Sequence, residues 1–107
     1  MQPNAFLYTS VMHAWARSGH TQAGVHAARL LEEMWKGYDN TGAKEMAPDA
    51  RTYNALIDAW AKSPTTDSAE QAESVLREMW AMNSSHPELN IKPDAYSYNG
   101  VIMAWAK

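Results

Sequence analysis

The sequence predicts an all-α fold, a solenoid of antiparallel helix pairs, and three observations carry that expectation. A fifteen-residue phrase is written three times, starting at Pro3, Pro48 and Pro93, each copy 45 residues after the last. A second phrase, Leu31-Glu32-Glu33-Met34-Trp35, returns at the same offset as Leu76-Arg77-Glu78-Met79-Trp80. Within both phrases the apolar residues recur at helical spacing. A fixed period of this size marks stacked supersecondary units, each covering the apolar face its neighbour cannot bury alone. The expected units are a helical hairpin with a long loop over 1–47, a second over 48–92, and the first helix of a third over 93–107, five helices in all.

In the first unit, the first helix is expected from about Ala5 to Arg17. Asn4 is a good N-cap, Pro3 disfavours helix upstream, and Ser18-Gly19 ends the helix through a left-handed glycine. Tyr8, Val11, Met12 and Trp15 share one apolar face. The second helix is expected from Thr21 or Gln22 to about Lys36 or Gly37, with Ala23, Ala27, Leu30, Leu31, Met34 and Trp35 as its buried stripe. Residues 37–47 then read as a loop, long for a helix–helix connection, with Met46 tucked back onto the hairpin.

The second unit copies this plan. Asp49 caps its first helix, Tyr53, Leu56, Ile57 and Trp60 face inward, and Ser63-Pro64-Thr65-Thr66 breaks it. Its second helix starts at Asp67 or Ser68, where Asp67 with Glu70, or Ser68 with Gln71, has capping-box spacing. Ala69, Ala72, Val75, Leu76, Met79 and Trp80 form the apolar stripe, and residues 83–92 read as a polar loop. The helix after Pro93 has no partner in this chain, so the sequence reads as a piece of a longer array, with any targeting segment outside it.

Bulk composition narrows the function classes. There is no cysteine, so disulfides and thiolate metal sites are excluded. No apolar run approaches the length of a membrane span. The net charge is −3, a mild argument against indiscriminate polyanion binding. The charge is unevenly placed: the three first-helix phrases sum to +1 and the remainder to −4.

With the inward residues removed, each first helix keeps one polar face, and equivalent positions form rows across the array. One row is Thr9, Asn54 and Asn99, short side chains with hydrogen-bonding tips. A second is Phe6, Arg51 and Tyr96, each with a flat group able to stack on a base. A third is Arg17, Lys62 and Lys107, always a cation.

Pro-Asp-x-x-Thr-Tyr-Asn-x-Leu-Ile-Asp-Ala-Trp-Ala-Lys in the first helix and Ala-Glu-x-Val-Leu-Arg-Glu-Met in the second resemble the pentatricopeptide repeat family. The resemblance implies a right-handed superhelix that binds single-stranded RNA, about one base per repeat read by two or three side chains. By the same resemblance, Thr9, Asn54 and Asn99 read bases together with Asp49 and Asp94, Phe6, Arg51 and Tyr96 sandwich them, and Arg17, Lys62 and Lys107 contact phosphate. The implied combinations are Thr9 with Asp49 for G, Asn54 with Asp94 for U, and Asn99 for a pyrimidine. It also implies a module of a larger mitochondrial or plastid protein acting in RNA processing, stability, editing or translation, alongside other proteins of such a complex. The family repeat is roughly 35 residues. Here the period is 45, with the excess expected in the turn between helices and mainly in the loop after the second helix.

Plainer readings stand beside these. The five tryptophans recur with the period on apolar stripes and read as core, as do Met34 and Met79. The four histidines do not recur, so no metal site or other cofactor is expected. His13 and Asp58 occupy equivalent positions with no nucleophile near, which favours a solvated face over catalysis, and the chain is not expected to be an enzyme. The cationic row also fits last-turn charges complementing the helix dipole, and the Thr/Asn row fits ordinary exposed helix. A tetratricopeptide-like scaffold for a protein or peptide is the alternative. It fits less well, because Trp15, Trp60 and Trp105 stand near the ends of their helices rather than the beginnings.

Overall fold

The computed structural model describes residues 4–106. Among them it is all-helical: α1 Ala5–Ser18, α2 Ala23–Thr41, a 3-10 turn Lys44–Met46, α3 Ala50–Lys62, α4 Ser68–Ser85 and α5 Ala95–Trp105. No described helix is long and apolar enough to cross a membrane.

Helix starts follow local chemistry. Asn4 Oδ1 accepts from Leu7 N–H at 2.9 Å. Asp49 Oδ1 accepts from Thr52 N–H at 3.2 Å while Thr52 Oγ1 accepts from Asp49 N–H at 3.3 Å, a reciprocal box with a hydroxyl where glutamate is usual. Asp94 and Ser97 repeat it, both bonds at 3.1 Å. Each such cap stabilises its helix by about 1 kcal/mol. Gly19 ends α1 at φ 70°, in the region a side chain resists. The box expected at the start of α4 does not form: Asp67 caps no backbone N–H and instead accepts from Gln71 Nε2 at 3.4 Å. Ser68, the other candidate, is buried.

The neighbour order is simple. Helices α1, α3 and α5 lie side by side in that order, α2 packs on α1 and α3, and α4 packs on α3 and α5. Helix α3 is therefore covered on all these sides and contributes the most buried residues, including Tyr53, Leu56 and Ile57. Met12, Met34, Tyr53, Ile57, Met79 and Ile91 are fully buried, each contributing about 1.5–3 kcal/mol. Ala27, Ala55, Ala59 and Ala72 let the helices approach closely between them. Ser63 ties the end of α3 to the start of α2, accepting from Gly24 N–H at 3.3 Å and donating to Ala59 C=O at 2.7 Å.

Several expectations need correction. Helix α2 does not stop at Lys36 or Gly37 but runs to Thr41, where Gly42 at φ 67° ends it. Tyr38 and Met46 explain the extension: the Tyr38 ring meets Trp35 edge-on at 6.1 Å, and Met46 lies over Gly37, where a Cβ would come within 2.7 Å of its Cε. Helix α4 likewise continues to Ser85, past the expected loop start. The excess over a shorter repeat thus goes partly into longer second helices. The stretch after α4 is also less polar than expected, since Leu89 and Ile91 are buried and Asn90 C=O accepts from Ala50 N–H at 2.6 Å.

On α1 only Met12 of the expected apolar face is fully buried, whereas Val11 is exposed. Its counterparts Leu56 and Val101 are buried because an earlier hairpin packs against α3 and α5. None of the five tryptophans is fully buried: Trp15, Trp35 and Trp60 are half-buried, and Trp80 and Trp105 are exposed. An indole N–H must find an acceptor. Trp35 and Trp80 therefore sit at the core's edge, donating to Tyr53 Oη at 2.9 Å and Tyr98 Oη at 3.0 Å. Trp60 lies flat over Gly24, where a Cβ would fall 2.3 Å from its ring. Ala69 takes the place of Gly24 in the second hairpin, and Trp105 there turns outward to donate to Glu73 Oε1 at 3.2 Å.

Candidate functional site

Because α1, α3 and α5 run side by side, equivalent positions on their polar faces become neighbours. Two shallow hollows form there. One of about 260 Å³ lies between α1 and α3, bordered by Phe6, Thr9, His13, Asp49, Arg51 and Thr52. The next, of about 330 Å³, lies between α3 and α5, bordered by Arg51, Asn54, Asp58, Tyr96, Asn99 and Met103. His13 reaches both hollows, and so does Arg51, whose guanidinium contacts Asp49 Oδ2 at 3.4 Å.

The flat groups stand well exposed on this face: Phe6 is 76% and Tyr96 79% accessible. Phe6 and Arg51 stand on opposite walls of the first hollow, Arg51 and Tyr96 on opposite walls of the second.

The polar row is organised by hydrogen bonds between units. Asn54 Nδ2 donates to Asp94 Oδ1 at 3.1 Å, so these two residues from different units are in direct contact. Ser97 Oγ donates to Asn54 Oδ1 at 2.5 Å. In the preceding unit Thr9 and Thr52 share a hydroxyl–hydroxyl bond at 3.0 Å, and Thr52 Oγ1 donates to Asp49 Oδ1 at 3.3 Å. Thr9 and Asp49 are thus joined through Thr52. Asn99 lies exposed on the second hollow. Thr52 and Ser97 are site residues that inspection of the exposed faces missed, because both are buried. Their signal was present: a hydroxyl three residues after each capping aspartate, repeated 45 residues apart.

Electrostatics follow from these contacts. Burial pushes the Asp94 carboxyl up, but hydrogen bonds from Ser97 N–H and the Asn54 amide outweigh it and hold Asp94 below its ordinary range. Asp94 therefore stays an acceptor at neutral pH. On the opposite side of the molecule, burial and the nearby Glu32 charge push the Glu78 carboxyl up. Burial, together with the Glu78 charge, also keeps the Tyr53 phenol neutral, against the hydrogen bond from Trp35.

The cationic row is less uniform. Arg17 is exposed in the last turn of α1. Lys62, in the last turn of α3, is engaged with Asp58 Oδ2 at 3.1 Å. Lys107 lies outside the described residues, as does Pro3 of the first phrase. Among the described residues no group of three or more His, Asp or Glu is placed to hold a metal ion.

Fold and face together define an all-helical protein whose successive first helices bring equivalent polar residues into one line of hollows. Comparison with known proteins adds no assignment: no family model, no curated protein and no solved structure matches the chain.

Proposed function

We propose that the chain is a segment of a right-handed α-solenoid of pentatricopeptide-repeat type, and that it binds single-stranded RNA with base selectivity as a module of a larger organellar RNA-processing protein. The contact between Asn54 and Asp94 carries this reading. An amide and a carboxylate from successive units meet there, the amide bordering the second hollow, and together they offer a donor and acceptors of the kind a base edge pairs with. Flat side chains on the hollow's walls support stacking, and the serial order of α1, α3 and α5 supports a stepwise track along a strand. The site read is 5′-G-U-pyrimidine-3′, with Thr9 and Asp49 on G, Asn54 and Asp94 on U, and Asn99 on the pyrimidine.

Stacked bases contribute about 1–3 kcal/mol each. With few phosphate contacts, such a short track corresponds to a Kd in roughly the micromolar to millimolar range. The test is an NMR titration of the chain with short RNAs containing G-U-C or its permutations. Shifts confined to the faces of α1, α3 and α5, strongest for the matched order, are expected. Log affinity should fall with log salt by about 0.7 for each phosphate neutralised. Binding that ignores base order would reject base selectivity, and a salt-independent response to peptides instead of RNA would favour the tetratricopeptide-like scaffold.

A further inference from the structure

We propose that Ser97, and Thr52 one unit earlier, are positioning residues that determine which hydrogen-bonding edge the preceding helix offers to a base; this rests on the RNA reading above. Ser97 is fully buried and cannot touch a ligand itself. Its hydroxyl nevertheless sits at the junction of both groups that would do so, 2.5 Å from Asn54 Oδ1 and 3.2 Å from Asp94 Oδ1.

The proton count fixes the arrangement. The Asp94 carboxylate can only accept, so the Asn54 atom facing it at 3.1 Å is the nitrogen. Asn54 Oδ1 then faces Ser97, and since that oxygen can only accept, Ser97 donates. Ser97 Oγ in turn accepts from Asp94 N–H at 3.1 Å, which holds the hydroxyl in place. Asn54 is thereby locked against an end-for-end flip. One N–H and one oxygen lone pair remain for a ligand, in a single orientation. Without the hydroxyl, the carboxylate alone would hold one end of the amide and the other end would swing.

The preceding unit uses the same device on a different side chain. Thr52 accepts from Asp49 N–H and contacts both Asp49 Oδ1 and Thr9 Oγ1. Its one proton serves only one of those oxygens at a time. When Thr52 donates to Asp49, Thr9 donates to Thr52 and faces a ligand as an acceptor; when Thr52 donates to Thr9, the Thr9 proton is free for the ligand. The buried hydroxyl thus locks an amide in one unit and couples the donor–acceptor sense of a hydroxyl to its own in the other.

Three variants test this. Ser97→Ala should lower discrimination between U and the other bases opposite Asn54 about three- to tenfold, the range of one hydrogen bond. Ser97→Thr should restore it, since threonine fills the equivalent position 52 of this same chain. A capping defect alone would weaken all oligonucleotides equally and leave that ratio unchanged. Thr52→Val, isosteric, opens the α3 capping box but leaves the α5 cap intact, and should alter preference only at the base opposite Thr9. Independently of RNA, the Asn54 side-chain amide protons should be shifted from their random-coil positions and slow to exchange with solvent in the wild type and Ser97→Thr, and should move toward random-coil shifts with faster solvent exchange in Ser97→Ala. An unchanged base ratio in Ser97→Ala and Thr52→Val, or an unchanged Asn54 amide signal in Ser97→Ala, overturns the proposal. Wild-type protein that binds no RNA sinks the RNA reading alone, and the amide signal then decides the positioning role.

Discussion

The Trp35 indole N–H donates to Tyr53 Oη at 2.9 Å, and Trp80 repeats the bond to Tyr98 at 3.0 Å. The two bonds join the second helix of one unit to the first helix of the next, but in different surroundings. Tyr53 is fully buried, whereas Tyr98 is 44% exposed. Tyr53→Phe should therefore strand the Trp35 N–H and cost about 1–2 kcal/mol, or roughly 5–10 °C in Tm. Tyr98→Phe, where water can replace the lost acceptor, should cost about 0.5 kcal/mol or less. Thermal melts of the two single variants check the asymmetry.

Gly24→Ala should show why the tryptophans differ. Alanine favours a helix over glycine by up to about 1 kcal/mol. Here, however, the new methyl would lie 2.3 Å from the Trp60 ring. Displacing the indole costs about 1–3 kcal/mol by the usual overpacking range. The net result expected is a lower Tm and a red-shifted tryptophan emission, as Trp60 adopts the outward position of Trp105. The reverse change, Ala69→Gly, should blue-shift the emission as Trp105 settles inward.

Glu78 gives stability a pH dependence of unusual sign. Its carboxyl is raised by burial and by Glu32, so the folded chain holds its proton more tightly than the unfolded chain. The contribution of Glu78 to stability therefore declines as pH rises from below the ordinary glutamate range through the raised value. Glu78→Gln removes that decline: the variant should be more stable at pH 7 by about 0.5 kcal/mol, discounted for solvent screening, and no more stable at pH 3. Asp94, lowered by its hydrogen bonds, acts in the opposite direction and loses its contribution as pH falls through its depressed value. Melts of both proteins across that range give the difference directly.

Base selectivity should move with one side chain. Asn54→Thr makes the second unit resemble the first, and the preferred second base should shift from U toward G. The Asp94 contact is replaced by a shorter hydroxyl beside Ser97, as Thr9 stands beside Thr52. Relative binding of RNAs differing only at that base measures the shift, and an unchanged preference rejects the assignment.

What the sequence determined by itself is whatever depends on near neighbours along the chain. Asn4, Asp49 and Asp94 start helices through bonds to a residue three positions on, so the side chain and its target are already together before any packing. Apolar spacing located the helices for the same reason. Tertiary structure decided the rest. The close of α2 at Gly42 and not near Gly37 goes with Met46 folding back over Gly37, and Trp60 and Trp105, written alike, differ in place: one lies over Gly24, the other points outward to Glu73. The junction of Asn54, Asp94 and Ser97 joins residues 40 and 43 positions apart. Repetition could say which residues occupy corresponding places, but whether their tips meet within hydrogen-bond reach is set by how closely α3 and α5 pack, through contacts such as Ile57 seated on Gly100.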